Sequence, residues 1–385
     1  MRIVAALLAF ALGFGAALGA PNADALFAAG DFTAAKTAYT ELAMENSNDP
    51  RVNAALARVL FYENRLDEAR RRALLAVMAD NTNQLAANLL HAIDQRRKIA
   101  ESARAVSFVG GETRVPLLAV DPLPLFAMKL NGRDVLAFLD TGAPDIVIDP
   151  GLAQELGVQT REGGTGTFAG GQKAAIRLAE FQSADLGGAH VGPVSAAVLP
   201  TRGVPFFGSR HPDAIVGTVF LSRFLATVDY PGKQLILRQQ GSEPPVDAGA
   251  VRMPFWLVGD HFIFTRGSVN SLSDQLFLVD SGGAGVGFSP EANILSAAGI
   301  TVDRTHSSEG LGGGGMVRFF PVRAGRVCLS TACQKNVPGV FTPAGSPLTT
   351  FPFHAAGVVS HEFLKHYAVT YDFSRMSITL QPSQR

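Results

Sequence analysis

The sequence predicts a mainly β, bilobal fold behind an α-helical N-terminal domain, on three observations. From about Ala23 to Ser102 the chain is rich in Ala, Leu, Arg and Glu. Beyond Ala100 long helical patterns give way to short apolar runs broken by Gly, Pro, Asn and Asp. The second part also repeats itself. Val135-Leu136-Ala137-Phe138-Leu139-Asp140-Thr141-Gly142-Ala143 returns as Gln275-Leu276-Phe277-Leu278-Val279-Asp280-Ser281-Gly282-Gly283, 140 residues later, and Pro150 and Pro290 each follow ten residues past the aspartate. Finally, Ile215-Val216-Gly217 matches Val358-Val359-Ser360, and Val228-Asp229-Tyr230 matches Tyr371-Asp372-Phe373, both at an offset of 143. Self-similarity over that length means two copies of one lobe.

Taken in order, the chain opens with Met1-Arg2, an apolar stretch from Ile3 to Leu12 and small residues up to Ala20. One positive charge, a short apolar centre and a small-residue exit predict a secretory signal peptide over residues 1–20, and hence an exported, periplasmic or secreted protein with no integral membrane segment after cleavage. The alternative, an uncleaved anchor, sits near the lower length limit for spanning. With 385 residues, 47% of them hydrophobic and 17% charged, the mature chain has enough material for two or three domains. Thirty-three basic residues balance 33 acidic ones, which argues against a nucleic acid or other polyanion as partner. The local runs Arg70-Arg71-Arg72 and Arg96-Arg97-Lys98 lie in helical pattern and read as solvated helix faces.

Within the helical part, Ala28-Ala29-Gly30-Asp31-Phe32-Thr33-Ala34-Ala35 aligns with Tyr62-Glu63-Asn64-Arg65-Leu66-Asp67-Glu68-Ala69 at a spacing of 34. A small or turn residue between two amphipathic helices at that period resembles a tetratricopeptide repeat, over a domain of residues 21–104. About two repeats fit, fewer than the three that usually close a core, so this piece is expected to pack on itself or on the β lobes. Two roles stay open: a groove for a protein partner, or a structural cap. From Ala103 to Val120 the periodicity is lost, Gly110-Gly111 and Pro116 appear, and a linker is expected.

In the β region, Leu125–Leu130 and the run to Leu139 flank Asn131-Gly132, a strong hairpin signal. Each aspartate then ends an apolar strand at a tight turn. Two carboxylates brought together share one proton, because like charges a few ångströms apart do not both ionise easily. Such a pair takes a proton from water while giving one to a carbonyl oxygen. Asp140 and Asp280 are the candidate catalytic pair. Thr141 and Ser281 offer hydroxyls to stiffen the turns, and Gly142 and Gly282 let backbone N–H groups approach the carboxylates.

Paired Asp-Thr-Gly and Asp-Ser-Gly motifs, each followed by a hydrophobic-hydrophobic element, resemble the aspartic proteases of the pepsin and retropepsin families over residues 115–382. The lobes are shorter than pepsin lobes, so a retropepsin-like unit duplicated in one chain is the nearer match. The resemblance implies an aspartic-protease-like double β-barrel with lobes at 115–240 and 250–385, joined near Gly241-Ser242-Glu243-Pro244-Pro245. It also implies an aspartic endopeptidase acting on peptide or protein substrates without metal or cofactor. The alternative is a non-catalytic peptide- or protein-binding module with the same cleft.

Two glycine-rich stretches, 163–171 and 310–316, follow the aspartates at similar distances. They look like substrate-binding flap hairpins, with Gly166, Phe168 and Gly170 in the first and Gly312 and Gly313 in the second; the other reading is a pair of surface turns. Departures from the family pattern are Phe168 where pepsin-like flaps carry tyrosine, Ser360 opposite Gly217, and Gly283 opposite Ala143. Cys328 and Cys333, five apart around a small polar turn, are expected to form a disulfide in an oxidising compartment. His354, His361 and His366 have apolar flanks and read as structural histidines, not metal ligands.

Overall fold

A computed structural model describes residues 22–167, 173–203, 207–243, 247–312, 315–343 and 346–383. The expected signal peptide lies outside the described residues, as do Phe168, Gly170 and Gly313 of the expected flap tips.

Five helices form the N-terminal module: α1 (Ala23–Ala28), α2 (Phe32–Glu45), α3 (Pro50–Tyr62), α4 (Leu66–Ala79) and α5 (Gln84–Arg104). Four start at an Asn or Asp whose side chain accepts a first-turn N–H: Asn22, Asp31, Asp49 and Asn83. Pro50 follows Asp49 at the first helical position, where its missing N–H costs nothing. The turns Gly30 and Asn64, one repeat apart, both take left-handed backbone, with φ of 75° and 58°. Asn tolerates that conformation, but Gly30 has a second constraint: a Cβ there would lie 2.8 Å from the Leu276 side chain and 2.9 Å from the His354 carbonyl oxygen.

Those two neighbours belong to the second lobe, onto which the module packs. Phe27, Phe32 and Tyr62 share a buried cluster with Trp256, Phe264 and Phe353. The Phe32 ring meets Phe353 edge-on at 4.9 Å and Trp256 at 5.5 Å. Arg96 corrects the expectation of a solvated basic face. It is buried, stacks on the Phe61 ring at 3.7 Å, and donates to the carbonyls of Phe61 at 2.6 Å, Leu257 at 3.1 Å and Gly259, tying α5 to both α3 and the second lobe. Its charge is matched by carbonyl dipoles and an aromatic face instead of water.

The expected linker is also corrected. The last helix runs to Arg104, and Glu112–Pro116 is a strand paired with Gln234–Gln239, Val115 opposite Leu235. Only Thr113 and Val115 point inward in this short strand, so its alternation is too brief to stand out beside Gly110-Gly111.

The rest is mainly β. In the first lobe, Leu125–Leu130 and Arg133–Leu139 form a hairpin across Asn131 and Gly132, both at positive φ. Arg133–Leu139 then pairs in parallel with Ala214–Val216, which runs antiparallel to Ile146–Ile148. The second lobe repeats the arrangement: Leu272–Val279 lies parallel to Gly357–Val359, and that strand antiparallel to Phe288–Pro290. A six-stranded sheet spans the lobes through Phe224–Asp229 and Tyr367–Asp372, where Thr227 and Thr370 face each other with hydroxyls 2.8 Å apart. One apolar core runs through both lobes, from Phe126 and Val216 to Phe277 and Val359.

Cys328 and Cys333 sit directly opposite each other at the Ser330-Thr331 turn of a hairpin and are joined in a disulfide, with Cα atoms 4.0 Å apart. Among the described residues, no helix is long and apolar enough to cross a membrane.

Candidate active site

Parallel pairing delivers both aspartates to the seam between the lobes. Leu139 lies opposite Val216 and Val279 opposite Val359. The ladder continues one residue further, with the Asp140 N–H donating to the Val216 carbonyl and the Asp280 N–H to the Val359 carbonyl, each at 3.0 Å. Each chain then turns sharply.

The two turns are clasped to one another. The Thr141 N–H donates to Ser281 Oγ at 3.0 Å, and the Ser281 N–H donates to Thr141 Oγ1 at 2.9 Å. Thr141 Oγ1 donates onward to the Val279 carbonyl at 3.3 Å. Both residues are fully buried, so these bonds satisfy groups that water does not reach.

Gly142 and Gly282 donate their N–H groups to Oδ1 of their own aspartates, each at 2.8 Å. Their lack of a side chain has a further reason that the sequence does not disclose. A Cβ on Gly142 would lie 2.5 Å from Asp280 Oδ2, and one on Gly282 would collide with the Asp140 carboxylate. Each glycine thus leaves the room that the opposite acid occupies, and the carboxylates face each other across the seam.

The electrostatics follow. Asp140's carboxyl is held well above the usual carboxylate range, first by burial, then by the negative charge of Asp280 and a hydrogen bond between the two acids. Asp140 therefore keeps its proton where an isolated aspartate would have lost it. Burial, and the nearby charge of Asp280, push the phenols of Tyr230 and Tyr371 up, so neither adds a further negative charge there.

A second tier of hydroxyls, missed from sequence, holds the turns from behind. Thr218 Oγ1 donates to the Thr141 carbonyl at 2.7 Å. Ser360 Oγ donates to the Asp280 carbonyl and accepts the Gly283 N–H at 2.9 Å. The 143-residue offset pairs Ser360 with Gly217, yet the residue doing comparable work in the first lobe is Thr218, one position on. Gly217 is needed for close approach: its N–H donates to the Asp145 carbonyl at 2.7 Å, and a Cβ would run into the Ala143 and Asp145 carbonyls.

Both glycine-rich stretches form hairpins. Thr160–Thr167 pairs with Lys173–Phe181, placing Gly166 opposite Ala174; Ser308–Gly312 pairs with Gly315–Leu329, placing Gly312 opposite Gly315.

Among the described residues, the only group with metal-ligand spacing is Asp121, His361 and Glu362. The Lys365 ammonium already bridges both acids, 2.9 Å from Asp121 Oδ1 and 2.8 Å from Glu362 Oε1, so the cation position is filled by the protein's own charge. His361 Nε2 lies 3.1 Å from Asp121 Oδ1, and burial pushes its pKa down. This set ties the first lobe to the short helix His361–Leu364; His354 and His366 take no part in it.

Comparison with known proteins agrees with this architecture. Residues 126–220 match a family model described as aspartyl protease, and residues 26–93 match one described as tetratricopeptide repeat. The first match takes in Asp140 and Thr218; Asp280 lies outside it. No curated protein matches the chain. The chain carries an aspartyl protease domain behind an N-terminal tetratricopeptide repeat region.

Proposed function

We propose that the protein is an aspartic endopeptidase in which Asp140 and Asp280 hydrolyse peptide bonds with a directly attacking water. The observation that carries this reading is the mutual fit of the two turns: each glycine is shaped around the opposite carboxylate, and the Thr141 and Ser281 clasp fixes both at once. Two facing acids are costly to hold together, and a purely structural turn has no use for them.

In the proposed reaction, one carboxyl is protonated and its neighbour ionised. The ionised group takes a proton from a water held between them as the water oxygen bonds to the peptide carbonyl carbon. The protonated group gives its proton to the carbonyl oxygen, leaving a tetrahedral diol and a dyad with one proton as before. Return of a proton to the amide nitrogen breaks the C–N bond and releases a carboxyl and an amine. Of the two oxygens in the new carboxyl group, one comes from water and the other is the substrate's own carbonyl oxygen, and no acyl-enzyme forms.

Substrates on this reading are peptides or unfolded protein segments, held extended beneath the two hairpins by strand addition. Export is proposed from the character of residues 1–20, and the Cys328–Cys333 disulfide suits an oxidising compartment. The test is cleavage of a peptide pool by the purified mature protein in ¹⁸O-labelled water, under single-turnover conditions. The mechanism requires one label in each new carboxyl group and no covalent adduct in rapidly quenched samples. A trapped acyl-enzyme would point to a nucleophilic side chain and reject the dyad.

A further inference from the structure

We propose that the helical module is part of the substrate-binding wall: α1 and α2 clamp the segment Leu348–Ala355 onto the second lobe's aspartate-bearing strand, making selectivity on one side of the cleaved bond depend on the module. This rests on the peptidase reading and deepens it.

Strand alternation gives the starting point. In the first lobe, Ala137 and Leu139 enter the common core, whereas Leu136 and Phe138 belong to a separate small cluster on the opposite face. In the second lobe, Phe277 and Val279 enter the core, and Leu276 and Leu278 take the opposite face. The aspartates are the next residues in the outward series, 136, 138, 140 and 276, 278, 280. The outward face of each strand therefore leads directly to its catalytic carboxyl.

The lobes cover that face differently. In the first, Phe207 lies on Phe138 with ring centroids 5.3 Å apart, alongside Leu123 and Leu125. Ala284, from the turn after the opposite aspartate, packs against the same cluster, which puts this face at the seam. In the second lobe the covering layer is Phe353 with Leu348 and Phe351, backed by Phe27 and Phe32 of the module.

These covering segments hold equivalent places in the duplicated lobes. Phe207 precedes Ile215, whose partner is Phe138; Phe351 and Phe353 precede Val358, whose partner is Leu278. Among the described residues, the helical module reaches the second lobe's covering segment and its neighbouring strand. The His354 N–H donates to the Ala28 carbonyl at 2.8 Å, at the end of α1, and Arg266 donates to the Gly30 carbonyl at 2.8 Å. Phe353 meets Phe32 at 4.9 Å and Phe27 at 6.1 Å, both edge-on. Gly30 seats so closely on Leu276 and His354 that even a methyl group does not fit.

A duplicated protease with equal lobes has equal walls on both sides of the scissile bond. Here one wall is backed by a helical domain and the other by residues of the two lobes themselves. A rigid wall selects substrate side chains by shape, at about tenfold or more for each misfit methylene-sized group.

The test compares the parent chain with Gly30→Val, a wedge under α1 and α2 that touches nothing at the dyad, and with Phe207→Ala on the other wall. Phe32→Leu serves if the wedge does not fold. Hydrogen exchange over residues 348–359 reads the clamp, and cleavage of a randomised peptide library reads selectivity. Gly30→Val should speed exchange in that segment and change residue preference about tenfold on one side of the cleaved bond. Phe207→Ala should change it on the other side alone. Unchanged exchange in a folded wedge variant would refute the clamp. Faster exchange with unchanged preference, or equal changes on both sides, would refute the wall. A parent that cleaves nothing would end the peptidase reading and the selectivity claim with it, while exchange would still report separately on the clamp.

Discussion

Thr141 and Ser281, 140 positions apart, exchange two hydrogen bonds: each residue's backbone N–H ends on the other's hydroxyl oxygen, at 3.0 and 2.9 Å. Neither turn is complete alone, so the two lobes share one fixed element at the point where the acids meet.

Ser281→Ala leaves the buried Thr141 N–H without its acceptor. Stability should fall by about 1–3 kcal/mol, the usual cost of an orphaned buried donor, read from the denaturant midpoint. Ser281→Thr keeps a hydroxyl at the same place and should recover most of that loss. An alanine variant as stable as the parent would mean that the clasp contributes nothing.

Gly142→Ala and Gly282→Ala place a methyl group where the opposite carboxylate sits. The acids must move apart, and displacement of about an ångström at a reacting centre costs on the order of a hundredfold in rate. Steady-state cleavage should drop by at least that factor while circular dichroism stays parent-like. Full activity in either variant would show that the facing geometry is dispensable.

Asp140 gives a signed pH dependence. Its carboxyl is raised in the folded chain, by burial first and by Asp280's charge second, so the native state holds this proton more tightly than the unfolded chain does. That contribution to stability is complete below the unfolded value of about 3.9 and is lost as pH rises through the raised folded value. Asp140→Asn removes it. Parent stability minus variant stability should therefore decline as pH rises from about 4 toward neutral. His361, pushed down by burial, loses stability in the opposite direction as pH falls, but it is present in both chains and largely cancels. A flat difference curve would contradict the raised carboxyl.

Arg96→Met keeps most of the side-chain volume and removes the guanidinium that links the Phe61, Leu257 and Gly259 carbonyls. Leaving these acceptors unpaired should cost about 1–3 kcal/mol, and protection from exchange should fall in α5 and the strand Trp256–Val258 together. Loss confined to α5 would mean that the module and the second lobe are not coupled through this residue.

Much of this was legible in the chain because it is written in local pattern. The doubled Asp-Thr-Gly and Asp-Ser-Gly turns, the Asn131-Gly132 hairpin and the 34-residue helical period each lie within a few consecutive residues. What was hidden depends on partners far away in sequence. Arg96 reads as one more charge on a helix until Phe61 and Gly259 close over it. Glu112–Pro116 becomes a strand only because Gln234–Gln239 offers it an edge. Thr218 was masked by the repeat itself, since the alignment that matches Gly217 with Ser360 is one residue out of step with the hydroxyls that brace the turns. The module's docking on the second lobe was undecidable from periodicity, because Phe27 and Phe32 look alike whether they meet a partner protein or Phe353.

The most direct measurement is cleavage of a diverse peptide pool by the parent, Asp140→Asn and Asp280→Asn chains, purified identically and followed from acid to neutral pH by mass spectrometry. A dyad sharing one proton requires cleavage by the parent and loss in both variants, with all three chains folded. Equal cleavage by the parent and either variant would contradict it, as would no cleavage by the parent at any pH.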